Sequence, residues 1–113
     1  MVTGTKHRGH AAAPSSESAL ALRLYIAGDA PNSCEARANL AALLEQHAGL
    51  LPDGYELEVV DFLQEPQRAL RDGVIVTPTL VKLTPAPVRK IIGTLRETPQ
   101  VLTALGLGAV RHG

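Results

Sequence analysis

One thiol, four imidazoles and a small group of cations are the side chains whose spacing can be weighed for chemistry. Cys34 is the single cysteine among 113 residues and ends the tetrad Pro31-Asn32-Ser33-Cys34. A Cys-x-x-Cys pair at a helix entry performs thiol–disulfide exchange, because the helix N-terminus lowers the pKa of the first, attacking thiol. Here the attacking position is Pro31, so that chemistry has no nucleophile. Cys34 then reads as a small residue of the first helical turn, and no internal disulfide can form. His7, His10, His47 and His112 are scattered, without cysteines spaced to share a metal with them. No Gly-x-x-x-x-Gly-Lys loop is present to cradle phosphates. Ser15 and Ser16 fall in a polar leader and Ser33 belongs to the helix entry, so no nucleophile–base pair emerges. No catalytic residue, metal or cofactor is expected.

The cations Lys82, Arg89 and Lys90 hold more promise. Each falls on a short strand of an expected hairpin, where side chains alternate between faces. Together they would make a basic stripe beside an exposed edge. Charges on edge strands also suppress aggregation, which is the competing explanation for them. Pro78, between Thr77 and Thr79 at the mouth of a strand, suggests a tight turn with a cis peptide bond.

These groups must be held by elements that the apolar pattern outlines. Leu20 to Ala27 is an apolar run of strand length, ended by Gly28-Asp29-Ala30-Pro31. Asn32, three residues before Glu35, has the spacing of a capping box. Ala36, Leu40, Leu43 and Leu44 then give one face of a helix over about Ser33 to Ala48. Tyr55 to Asp61 alternates as a second strand. A short helix spans Glu65 to Asp72, with Pro66 in its first turn and Gly73 just past its end. Leu80 to Leu83 and Val88 to Ile92 are two strands joined by Thr84-Pro85-Ala86-Pro87. Thr98-Pro99 starts a last helix whose buried face is Val101, Leu102 and Leu105. The order is β-α-β-α-β-β-α, an α/β chain with a parallel first pair and a late antiparallel hairpin.

Three blocks of sequence, in order, carry a resemblance to the KaiB family of circadian clock proteins. They are Leu24-Tyr25-Ile26-Ala27-Gly28 with Pro31-Asn32-Ser33; Asp61-Phe62-Leu63 with Pro66-Gln67 and Ala69; and Thr77-Pro78-Thr79-Leu80 with Lys82, Pro85, Pro87 to Gly93, and Leu95. The likeness spans residues 20–105. It implies a thioredoxin-like fold and a non-catalytic regulator that docks a KaiC-like hexameric ATPase according to its nucleotide state. A KaiA-like protein or a histidine kinase are further partners it implies; a sensor or adaptor module docking a signalling kinase is the alternative function. It also implies partner-binding roles for Lys82, Arg89, Lys90, Asn32 and Pro78. The family is known to occupy a second, tetramer-forming fold in which the last segment is extended. Clock members often end in Gly-Leu-Asp followed by Leu and Tyr, where this chain has Ala104-Leu105-Gly106, then Leu107 and Gly108. Ala over Gly favours helix by about 1 kcal/mol, so the thioredoxin-like state is expected to dominate. Glu35 and Glu58 stand where clock members often carry Arg or Lys.

Bulk properties agree with a binding role. Lys plus Arg and Asp plus Glu both number 11, so no net field draws the chain to nucleic acid or anionic lipid. Residues 1–18 are polar and small, expected as a disordered leader, with a domain over 19–107 and a flexible tail over 108–113. No run reaches membrane-spanning length and no secretory h-region is present, so a cytoplasmic location is expected. In an insulin-reduction assay the purified chain should show no activity above buffer. Turnover that disappears on Cys34→Ser would overturn the loss of dithiol chemistry.

Overall fold

The computed structural model describes residues 4–8, 20–51 and 54–107 of the chain. Its centre is β2 (Leu20–Ile26), which pairs in parallel with β3 (Tyr55–Asp61) and antiparallel with β4 (Thr79–Thr84). Having a neighbour on each side, β2 has no free edge, and its run of Leu22, Leu24, Tyr25 and Ile26 is buried on both faces. β5 (Arg89–Ile92) adds to β4 as an antiparallel edge, and β1 (Gly4–Arg8) adds to β3 on the other side, giving the order β1-β3-β2-β4-β5.

β1 lies inside the leader for which no regular structure is expected. Gly-Thr-Lys-His-Arg has no apolar alternation to announce a strand. The segment is held by main-chain pairing from Gly4 opposite Val60 to Arg8 opposite Glu56, which side-chain pattern does not encode. The rest of the expected leader, and the tail over 108–113, lie outside the described residues.

One face of the sheet carries α1 (Pro31–Gln46) and α3 (Thr98–Leu105). Ala36, Leu40, Leu43 and Leu44 of α1 and Val101 and Leu105 of α3 join Leu22, Leu24, Leu57, Val59 and Leu80 in one buried cluster. Each fully buried leucine there contributes about 1.5–3 kcal/mol. The other face carries α2 (Pro66–Arg71), which inserts only Ala69, beside Tyr25, Val60, Val74 and Val81.

α1 begins two residues earlier than the apolar pattern predicts, and the capping box does not form. Pro31 occupies the first helical turn, so the cap falls on Ala30, which has no side-chain acceptor. Ser33 is used differently: its Oγ accepts the Ala27 N–H at 2.9 Å and ties the helix entry to the end of β2. α3 stops at Gly106, whose φ of 82° is left-handed, and Leu107 N–H closes the end by donating to the Leu102 carbonyl at 2.8 Å. Leu95 is also left-handed, at φ 64°. That conformation costs a non-glycine residue about 1–2 kcal/mol, but its side chain is only 5% exposed, and burial of that size offsets the cost.

Leu44→Ala should lower unfolding free energy by about 2–5 kcal/mol in urea melts, since the side chain is sealed between α1 and the sheet. A loss below about 1 kcal/mol would mean that the α1 face is not packed as described.

Candidate partner-binding surface

The topology decides which loops meet. β2 and β3 run to the same end of the sheet, β4 starts there, and β5 finishes there. That rim therefore gathers residues 27–33, 62–65, 74–78 and Gly93. Short bonds knit it: Phe62 N–H donates to the Ile26 carbonyl at 2.7 Å, and Gly93 N–H to the Pro78 carbonyl at 3.0 Å. Asp61 Oδ1 accepts from Gly28 N–H at 3.2 Å and Leu63 N–H at 2.9 Å. The Thr79 hydroxyl donates to the Val76 carbonyl at 2.8 Å. The Thr77–Pro78 peptide bond is cis.

Four large apolar side chains on this rim face solvent: Leu63 (69% exposed), Ile75 (78%), Val76 (44%) and Ile92 (68%). Leu63 lies over Gly28. Ile92 stands opposite Thr79, next to Pro78. Sequence pattern did not single these out. Val74-Ile75-Val76 looks like the approach to a buried strand, and only the turn into Pro78 leaves the last two uncovered.

The five predicted contact residues separate. Asn32, Arg89 and Lys90 are exposed. Asn32 sits on the rim in the first turn of α1, beside exposed Cys34, whose Sγ donates weakly to the Asp29 carbonyl at 3.6 Å. Pro78 is buried, so it shapes the rim through its backbone. Lys82 is 4% exposed, with Nζ donating to the Pro85 carbonyl at 2.8 Å. Burial first, and then nearby Arg89, hold its pKa below the ordinary lysine value.

The basic stripe expected across the hairpin therefore does not form. Lys82 faces Arg89 across the β4–β5 ladder, on the α1/α3 side, while Lys90 pairs with Val81 on the α2 side. The Lys90 ammonium lies over the bare backbone of Gly73. Period-two alternation sends neighbouring cations to opposite faces.

Glu58 and Glu35, the two carboxylates singled out by the sequence resemblance, are engaged within the chain. Glu58 Oε1 accepts from Arg23 Nε at 3.0 Å and Arg68 Nη2 at 2.7 Å. Arg23 Nη1 donates to Asp72 Oδ2 at 2.9 Å, and the Tyr25 hydroxyl donates to the same oxygen at 2.6 Å. Arg23, Tyr25 and Glu58 come from the sheet, while Arg68 and Asp72 come from α2 and its C-cap. The network thus clasps a helix that has only one buried residue. Burial alone would raise the Asp72 pKa, but the Tyr25 hydroxyl and Arg23 guanidinium outweigh it and the net shift is downward. Arg68 chiefly holds Glu58 low, against its burial. Burial, reinforced by Asp72, pushes the Tyr25 phenol up to about 12. Glu35 accepts from exposed Arg96 at 2.9 and 3.0 Å and staples α1 to the segment before α3.

A family model described as the KaiB domain matches residues 23–107. The circadian clock oscillator protein KaiB of Gloeothece citriformis is 46% identical over 86 residues, 76% of this chain and 78% of that protein. The circadian clock protein KaiB3 of Synechocystis is 42% identical over 94 residues, 83% of this chain and 87% of that protein. Among solved structures, the N-terminal domain of SasA from Synechococcus elongatus is similar at a TM-score of 0.65 and 22% identity, over 92% of this chain and 100% of that one. The germline-specific thioredoxin Deadhead of Drosophila melanogaster is similar at 0.60 and 15% identity, over 77% and 80%. The two structural likenesses establish a thioredoxin-like fold.

Asp72→Asn should lower stability by about 1–3 kcal/mol near neutral pH, where the native carboxylate is ionised and bonded to Arg23 and Tyr25. A depressed carboxylate pKa contributes stability above the ordinary Asp value of 3.8 and loses it as pH falls below that value. The gap between variant and parent in urea melts should therefore narrow from about pH 7 to about pH 3. An equal gap at both would show that the charge on Asp72 is not what clasps α2.

Proposed function

Because the chain belongs to the KaiB family, we propose that it is a non-catalytic regulator that docks a KaiC-like hexameric ATPase through the rim bearing Asn32, Leu63, Ile75, Val76 and Ile92. The observation that carries this reading is the exposure of four apolar side chains on one rim, beside a basic edge strand. Large apolar groups gathered on a monomer's surface mark a docking site, since isolated ones suffice for chance exposure. The apolar group would supply contact energy. Lys90, exposed on the edge strand, would supply orientation toward an acidic surface and speed of encounter. Cys34 on the same rim is the single cysteine of the sequence and has no second thiol to exchange with, which supports binding over redox turnover. Binding would follow nucleotide state if only one conformation of the ATPase ring presents the complementary surface. Glu58 and Glu35, being held by arginines of the chain itself, do not repel such a surface as free charges would.

The test is retention of the full chain on a purified KaiC-like hexamer held in its ATP or its ADP state. Retention in one state only is expected, weakened about tenfold or more by Ile75→Asp and by Lys90→Glu. Equal retention in both states, or none in either, would defeat the nucleotide-gated reading. Capture by the sensor domain of a histidine kinase in place of the hexamer would replace it with an adaptor role at the same rim.

A further inference from the structure

The opposite end of the sheet holds a cleft of about 440 Å³. One wall is the β4–β5 turn with Pro85, Ala86 and Pro87, and the other is the C-terminal turn of α3 from Thr103 to Leu107. Buried Leu20, Leu51 and Leu105 line it, and Gly54 adds no side chain. The two cations that face each other across the β4–β5 ladder, Lys82 and Arg89, both border this space.

Among the described residues no Asp or Glu lines the cleft, and the ion pairs of the described arginines engage Arg23, Arg68 and Arg96 instead. The Lys82 ammonium has three donors and spends one on the Pro85 carbonyl. A nearly buried cation beside a second cation is unfavourable unless an anion joins them. An inorganic anion would satisfy the charge but leave the leucine floor wet. A carboxylate carrying an aliphatic tail satisfies both, and the volume suits a small ligand, for which about 300–1,000 Å³ is usual.

We propose that this cleft binds a small amphipathic carboxylate, its head between Lys82 and Arg89 and its tail along Leu20, Leu51 and Leu105. The site stands at the far end of the sheet from the docking rim and does not depend on the ATPase reading.

Octanoate is the probe, followed by ¹H–¹⁵N NMR on the full chain, with octanol and acetate as arms that separate tail from charge. Octanoate should move the amides of Leu51, Gly54, Ala86 and Leu105 saturably. Octanol and acetate should each bind at least about tenfold more weakly, as should octanoate to Arg89→Gln, one charge-assisted hydrogen bond being of that size. Arg89 is exposed, so that variant tests the site without threatening the fold; Lys82→Met, in a buried position, is the second variant and should weaken octanoate at least as much. Unsaturable or absent shifts at the cleft would overturn the proposal. So would octanol binding as tightly as octanoate, or Arg89→Gln binding octanoate like the parent.

Discussion

Sealing β2 on both faces and both edges is the constraint from which the rest follows. Its leucines face α1 and α3, Tyr25 faces α2, and β3 and β4 take its backbone bonds. Because β3 is parallel to it and β4 antiparallel, strand ends on the two sides meet at common rims. One rim collects the helix entry, the loop after β3 and the turn into Pro78. The other collects the proline turn of the hairpin and the end of α3. The two candidate sites are thus consequences of strand direction.

Charge is distributed by the same geometry. The α2 side of the sheet is too sparsely covered by apolar groups to hold a six-residue helix by packing alone. Arg23, Glu58, Arg68, Asp72 and Tyr25 take over that task with bonds of 2.6–3.0 Å. The pairs are half-buried, where attraction between charges exceeds that of exposed pairs and salt screens it less. The hairpin cations have no such carboxylates among the described residues. An overall charge near zero therefore conceals a molecule with an internally neutralised face and a cationic edge.

Much of this architecture was legible beforehand. β2, β3, α2, the hairpin and the buried faces of α1 and α3 follow from apolar period, turn residues and prolines, and the family resemblance follows from three ordered blocks. The helix cap was misjudged because Asn32 and Glu35 have the right spacing but Pro31 had already begun the helix. The basic stripe does not form because Lys82 is buried and bonded to the Pro85 carbonyl, a tertiary outcome that strand alternation alone does not reveal, while Arg89 and Lys90 stand on opposite faces of β5. β1 was missed because main-chain pairing carries it.

Composition and order of residues alone determined that this chain builds an aliphatic α/β core and lacks the second thiol for dithiol exchange, since both depend only on which groups are present and at what period. Which apolar side chains stay wet, which cation is buried, and which carboxylates are already spent on arginines were decided by the tertiary structure. Those outcomes depend on what a distant segment places across from each residue: Arg23 meets Glu58 and Asp72, which lie 35 and 49 residues away along the chain, and nothing local to any of the three specifies the meeting.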